Sequence, residues 1–424
     1  MTAKRTLLIG GIDISAYSIV YGAPSVSRGV GSLTGKTVAE DIGDILLGEN
    51  TAYDFDRQSA ARFAALVRSF CGVELPLVCE CEASTGKKVL VGRACGDLEL
   101  SPTAYVCEHK GNEYRIMGGS FGATWHAMDA IEKYFAESNT ETVDLADAGV
   151  ISGTYPLRRV ACLGDSITRG SQALPDGNGF GAPDGRAASY GPLATSHYFE
   201  QYLSYPANLA RALWKEYLVF NFGQGNATMR YFEDWKQFYY HGTGKFASCL
   251  AMSDREDFAF DAVIVMLGTN DSGRAGGAKL WGDTEKSDYT REAEALMQRI
   301  LAGSPKARFA LMNVPHRCNS HKVSESDDIV RAVQKKTVET LADKGYDICL
   351  YDMYAYSCDH MGVGHGTTLE EELVAHADYY NIRTDTGKPD TTHPNFRGYY
   401  TISRGVRELL AHLLEDAPKP TYLV

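Results

Sequence analysis

Positive charge is scarce in this chain and nowhere concentrated. Over 424 residues there are 42 Lys and Arg against 54 Asp and Glu, a formal net charge of −12. Basic residues adjoin only as short pairs such as Lys87-Lys88, Arg158-Arg159 and Lys335-Lys336. A nucleic-acid binder needs a basic face to neutralise phosphates, so a nucleic-acid partner is not expected. Long apolar runs are lacking too. No stretch approaches the roughly 18 apolar residues that span a bilayer. The start of the chain runs from Leu7-Leu8-Ile9 straight into Gly10-Gly11, without the apolar region or small-residue cleavage site of a secretory signal. A soluble, cytoplasmic protein with no membrane partner is expected. Framework spacing is missing from the 10 cysteines, which are spread along the whole chain. The one close pair, Cys79-Glu80-Cys81, alternates as a strand does and lacks zinc-ligand spacing. Small buried thiols in a reducing compartment are the expectation, with no metal and no cofactor.

What is present suffices for a large core: 44% of residues are apolar and 23% charged, as in ordinary globular proteins. At roughly 100–200 residues per domain the length implies two or three domains. In the first part, 14–22 reads as a strand and 58–70 carries helical periodicity through Ala61, Phe63, Ala64, Leu66, Val67 and Phe70. Strands follow at 76–81 and 88–94, then a hairpin at 103–108 and 113–118, then a helix from 121 to 137. The stretch 138–157 is polar and rich in small residues and reads as a linker.

Beyond it the rhythm changes to strand, helix, strand, helix. Strands are predicted at 158–163, 218–222, 260–267, 308–313 and 346–351. Helices are predicted within 205–216 and at 229–240, 287–302, 325–344 and 397–415. Such alternation implies parallel strands with crossover helices. The strands are apolar nearly throughout, as when both faces of a sheet are covered. The expectation is an α+β accessory domain over 1–155 and, over 156–424, an α/β domain with a doubly wound parallel sheet. Ligands bind beyond the carboxyl ends of such strands, so the loops starting at 164, 223, 268 and 314 are the candidate functional loops.

Chemistry-bearing residues fall in those loops. Gly164-Asp165-Ser166 follows the first strand. A tight strand-to-helix turn exposes a serine hydroxyl, which becomes nucleophilic beside a base. The second strand runs into Asn221-Phe222-Gly223-Gln224-Gly225-Asn226-Ala227-Thr228 and the third into Gly268-Thr269-Asn270-Asp271. Near the C-terminus, Asp390-Thr391-Thr392-His393-Pro394 places a carboxylate three residues before an imidazole, so one loop supplies both. His393 is the candidate general base for Ser166, and Asp390 the candidate group that orients the ring and stabilises the imidazolium. Asp165 and Asp271 are read as loop holders that bond side chain to backbone. His316, after the fourth strand, is a candidate substrate contact. His321, His360, His365 and His376 show no zinc-helix spacing.

These four ordered blocks resemble the SGNH (GDSL-type) hydrolases over about residues 158–416. The resemblance implies a three-layer, flavodoxin-like sandwich and ester hydrolysis by Ser166, His393 and Asp390. It also implies an oxyanion hole built from the Ser166 N–H, a block-two amide and the Asn270 side chain. By register the family's block-two glycine falls on Asn226, with Gly225 just before it, so either amide is a candidate. The first domain is similar to the non-catalytic N-terminal domain of some β-hexosaminidases and α-glucuronidases, which implies work on carbohydrate.

The long Gly/Pro/Asp segment Ser171–Gln201 has the size of a lid. Aromatic residues among polar neighbours at 231–241 and 351–360 suit the faces of sugar rings. The leading expectation is therefore an acetylesterase acting on an acylated sugar or oligosaccharide. Hydrolysis of a short-chain lipid or thioester, and glycan binding at a vestigial site, are the alternatives.

Overall fold

The computed structural model describes residues 5–22, 55–80, 82, 86–96, 100–170, 204–225, 227–229, 249–250, 252–255, 258–273, 288–317, 321–362, 379–382 and 389–424. The chain divides into two compact units, Met1–Leu157 with Leu213–Leu218, and Arg158–Ala212 with Val219–Val424.

In the first unit the strands are β1 (Thr6–Ile9), β2 (Ile12–Asp13), β3 (Tyr17–Tyr21), β4 (Leu77–Cys79), β5 (Lys87–Val91), β6 (Ala104–Lys110), β7 (Glu113–Gly118), β8 (Thr142–Asp144) and β9 (Ile151–Thr154). The helices are α1 (Phe55–Cys71) and α2 (Phe121–Glu137). Six strands form a sheet in the order β4-β3-β5-β7-β6-β9, and a smaller sheet has the order β2-β1-β8. The core brings Phe63 and Val67 of α1 and Met128 and Ile131 of α2 together with Ile19, Val89, Val91 and Ile116 of the strands. Ser120 starts α2 by accepting the Ala123 N–H at 3.2 Å, an N-cap that uses one of the helix's spare donors.

Two expectations need correction here. Residues 14–22 are not one strand: Ile14–Ala16 form a 3-10 turn before β3, because Asp13 accepts the Ser15 N–H at 2.9 Å and caps it. The stretch 138–157 is not a bare linker either. Its β8 lies parallel to β1, and its β9 lies antiparallel to β6. Both add to sheet edges, where backbone pairing suffices and the side chains stay half solvated, so the apolar signature of a strand is weak.

The second unit continues with β10 (Arg158–Gly164), α3 (Ser166–Arg169), α4 (Tyr205–Ala212), β11 (Tyr217–Gly223), β12 (Ala262–Met266), α5 (Thr269–Gly273) and α6 (Asp288–Leu301). Then come β13 (Arg308–Met312), α7 (His321–Asp343), β14 (Ile348–Tyr351), α8 (Met353–Met361), β15 (Tyr380–Ile382), β16 (Pro389–Pro394) and α9 (Phe396–Glu415). The main sheet has the order β11-β10-β12-β13-β14, with β10/β12, β12/β13 and β13/β14 parallel. Counted along the chain this is 2-1-3-4-5, the flavodoxin-like order, and the expected doubly wound α/β fold is what the structure has. One helix group joins α9 to α4 and α8, and another joins α7 to α5 and α6. Every residue of β11 and β12 is buried, which accounts for their unbroken apolar sequences.

Strand order reverses between β10 and β12, the switch point where ligands bind in sheets of this kind. Two glycines let the backbone close up there. A Cβ on Gly164 would lie 1.9 Å from Thr168 Oγ1, and one on Gly223 would lie 2.1 Å from the Arg169 backbone nitrogen. Gly223→Ala must therefore push α3 away from the end of β11. A loss of about 1–3 kcal/mol is expected, as for overpacked interiors, read as a lowered melting temperature together with reduced activity.

The expectations at 229–240, Ser171–Gln201 and 231–241 lie outside the described residues. The segment 351–360 proves to be mostly helix α8, started by Asp352, whose carboxylate accepts the Ala355 N–H at 3.0 Å. Of its aromatics, Tyr351 and Tyr356 are buried. Cys71, Cys79, Cys95, Cys107, Cys162 and Cys249 are buried. Among the described residues no helix is long and apolar enough to cross a membrane.

Candidate active site

Ser166 owes its position to the end of β10. Asp165 leaves the strand with φ −92° and ψ −148° and caps the short helix α3, its carboxylate accepting the Ile167 N–H at 2.9 Å. Gly170, at φ 89°, closes the turn from the other end, a left-handed conformation that glycine adopts without strain. Ser166 is left half-exposed at the first helical position.

His393 arrives from a different quarter of the unit. It sits on β16, which pairs antiparallel with β15 in a register that sets Tyr380 opposite Pro394. The sequence placed it on a loop; the structure places it on a strand. Proline-flanked and only 6 residues long, that strand carries little β signal of its own and exists because β15 supplies its partner. Just beyond, the Asn395 N–H donates to the Tyr379 carbonyl at 2.7 Å. The Asn395 side chain accepts the Arg397 and Gly398 N–H groups at 2.9 and 3.2 Å, capping α9. Thus a strand pair holds His393 on one side and a long helix on the other. His393 Nε2 lies 2.8 Å from Ser166 Oγ, across 227 residues of sequence. Asp390 lies on the same strand, three residues earlier; its side chain is outside the described ones.

Asn270 lies in α5, entered through Gly268. That glycine has φ +153°, and a Cβ on it would lie 2.9 Å from Val330. Asn270 Nδ2 donates to the Ala227 carbonyl at 2.8 Å and faces Asp165 Oδ2 at 3.5 Å. The first bond ties the Asn270 loop to the turn after β11, and the second is at the limit of a hydrogen bond. That turn is fixed independently. Asn221 Oδ1 accepts the Gly223 N–H at 2.9 Å, and the Gln224 N–H donates to the Gly164 carbonyl at 2.9 Å. Asp271 accepts the Met229 N–H at 3.1 Å, so Asp165 and Asp271 both bond to loop backbone. The Gln224 amide is thereby engaged. Gly225 follows, half-exposed, and Asn226 is outside the described residues. The structure thus brings Ser166 to His393, and Asn270 to the turn that contains Gly225.

Burial pushes the Asp165 carboxyl upward from its ordinary pKa. The Ile167 N–H, the Thr269 hydroxyl and the charges of His393 and Arg317 act in the opposite direction. Among the described residues no group of His, Cys, Asp and Glu is arranged to hold a metal ion.

The GDSL-like lipase/acylhydrolase family model matches residues 162–400, more than half of the chain. The chain belongs to this family. Its matched region runs from the strand before Ser166 to the helix after His393 and so takes in every block described above. No curated protein matches the sequence significantly. Among solved structures, an acetylxylan esterase from Geobacillus stearothermophilus, in a catalytic mutant, is 21% identical with a TM-score of 0.34 over 61% of this chain and 94% of the other. A family two carbohydrate esterase from Clostridium thermocellum in complex with cellohexaose is 15% identical with a TM-score of 0.37, over 63% and 67%. A carbohydrate acetylesterase family member from Sinorhizobium meliloti is 12% identical with a TM-score of 0.35, over 61% and 100%.

Several residues that support this GDSL-like site were not singled out from sequence. Gln334 of α7 donates to the Leu267 carbonyl at 2.7 Å and to the Tyr289 hydroxyl at 3.1 Å, and Tyr289 donates to the same carbonyl at 2.8 Å. This buried network steadies the backbone just before Gly268. Arg317 forms a two-pronged, buried pair with Asp327. Nothing in the local sequence marks them, because each bonds to a partner far along the chain. His316 is half-exposed: its N–H donates to Ser357 Oγ at 2.8 Å, its carbonyl accepts the Tyr380 hydroxyl, and its ring meets that of Tyr354 edge-on at 5.1 Å. His360 lies on α8, exposed, and the side chain of His321 and all of His365 and His376 are outside the described residues.

Proposed function

We propose that the chain is a serine esterase that removes acyl groups, acetyl foremost, from carbohydrate hydroxyls through an acyl-enzyme. The observation that carries this reading is the 2.8 Å approach of His393 Nε2 to Ser166 Oγ. A serine hydroxyl is a poor nucleophile at its own pKa, and a base within hydrogen-bond reach removes that obstacle.

In the first step the Ser166 proton passes to His393 Nε2 as Oγ bonds to the acyl carbon, and the carbonyl electrons move onto oxygen. The Ser166 N–H, the amide of Gly225 or Asn226, and Asn270 Nδ2 meet the resulting negative charge. Asn270 exchanges its long contact with Asp165 for one with the oxyanion and keeps the Ala227 bond that aims it. Collapse breaks the bond to the sugar oxygen, which takes the proton from His393 and leaves as alcohol. Water then repeats the sequence on the acyl-enzyme, with His393 as base and Ser166 as the leaving group. Asp390 orients the imidazole and balances its charge while it is protonated. No cofactor enters these steps.

The carbohydrate part of the reading is supported by the resemblance of the first domain to the accessory domain of sugar-cleaving enzymes. It is supported also by His316 and Tyr354, whose rings meet beyond the carboxyl end of β13, since aromatic edges and faces suit the C–H surfaces of a sugar ring. The test is acetate release from acetylated xylo- and manno-oligosaccharides, with p-nitrophenyl esters of increasing chain length alongside. Acetyl preference and release from at least one oligosaccharide are expected. Preference for long acyl chains would overturn the acetyl and carbohydrate assignment. Absence of covalent labelling of Ser166 by a fluorophosphonate would overturn the esterase assignment itself.

A further inference from the structure

The steps above give Asp165 no part beyond the contact that Asn270 gives up. Asp165 is fully buried, beside the nucleophile, where three segments of the second unit converge. One carboxylate oxygen accepts the Ile167 N–H at 2.9 Å, and the other faces Asn270 Nδ2 at 3.5 Å. The Thr269 hydroxyl lies close enough to favour its charged form. The next residue in the chain, Ser166, touches His393.

Other charged or titratable groups face Asp165 from the elements packed around it. Arg317, in the loop after β13, is already bound to Asp327. Tyr205 of α4 and Tyr289 of α6 are buried phenols that feel the Asp165 charge. Burying a carboxylate is costly unless it is compensated, and capping Ile167 does not require one, because asparagine caps a helix equally well. What an asparagine here would lack is the second acceptor oxygen, since its amide nitrogen would meet the Asn270 Nδ2 donor instead.

We propose that Asp165 is a positioning residue of the reaction. It links the turn that carries Ser166 to the Asn270 amide and so sets the two relative to each other before attack, after which the oxyanion takes over the Asn270 contact. This inference rests on the reading of Ser166 as nucleophile and His393 as base.

The experiment is Asp165→Asn in the full chain, assayed with p-nitrophenyl acetate from acid to alkaline pH, with folding checked by thermal melting. A fall in kcat of roughly tenfold to a hundredfold is expected, the cost of a small misplacement of reacting groups, with KM little changed. A purely structural cap would leave kcat in place, because asparagine caps a helix equally well, and an unchanged kcat overturns the proposal.

Should Asp165→Asn fail to fold, Asp165→Ser keeps a capping oxygen for Ile167 and removes the oxygen that faces Asn270. It should show the same fall in kcat with KM little changed, and an unchanged kcat overturns the proposal. Ser166→Ala separates the two levels. Retained hydrolysis in that variant removes the nucleophile reading and this inference together, whereas lost hydrolysis there with an unchanged kcat in Asp165→Asn removes only the inference.

Discussion

Replacing Ser166 by alanine is expected to lower kcat for p-nitrophenyl acetate by about six orders of magnitude, to the small residual that substrate binding and the remaining oxyanion donors provide. His393→Ala should do the same, and the double variant should be no worse than either alone. The non-additivity follows from the geometry: with Nε2 at 2.8 Å from Oγ, nucleophile and base form one unit, and removing either member disables it. Both side chains are half-exposed, so truncating them leaves no large cavity, and the melting temperature should stay near that of the wild type. Loss of labelling by a fluorophosphonate in both variants, with folding intact, is the matching chemical readout. Activity of Ser166→Ala within a hundredfold of the parent would end the assignment of the nucleophile.

Asn270→Ala is expected to lose a hundred- to a thousandfold in kcat, about 3–4 kcal/mol of barrier, the usual result of removing one oxyanion donor. The change should fall mainly on kcat, because the charge that Asn270 meets exists only after attack. Asn270 also bonds to the Ala227 carbonyl at 2.8 Å, so its loss frees the turn after β11 and adds a modest decrease in stability, about 1 kcal/mol for one hydrogen bond. Asn270→Asp separates the two contributions. It keeps the shape but turns a donor toward the oxyanion into an acceptor, and it places a second carboxylate beside Asp165. It should be at least as inactive as Asn270→Ala, and less stable as well. A variant at this position with an undiminished rate would remove Asn270 from the oxyanion hole.

Carbohydrate specificity stands apart from these two results. Both variants address the bond-making centre shared by any ester substrate, whereas the sugar is recognised by whatever surrounds the leaving oxygen. His316, in the proposed reading a contact to the sugar, has its backbone held by the Ser357 and Tyr380 hydroxyls. A side chain on such a backbone loses little entropy on binding.

Much of the second unit was legible along the chain. Apolar runs at β10, β11, β12 and β13, each followed by a polar loop and a periodic helix, could only bury themselves in a covered parallel sheet, and the loops after them were the places to look for chemistry. Ser166 and Asn270 were singled out in that way, and His393 from its spacing to Asp390 near the C-terminus. The supports of those groups were not found. Gln334, Tyr289, Arg317 and Tyr380 act through partners dozens of residues away, and β8, β9 and β16 are strands because a neighbour offers them backbone partners.

Local composition settled most of the helices and the central strands and which residues are candidates for reactivity, since helix periodicity, strand burial and turn preference are decided within a few residues. Only the tertiary structure decided that an imidazole 227 residues downstream comes to lie against the serine, and that an asparagine amide is aimed by a carbonyl from another loop. Those relations depend on the order of the strands and on the close approach of backbones at Gly164 and Gly223, and such long-range geometry leaves no periodic trace in the chain.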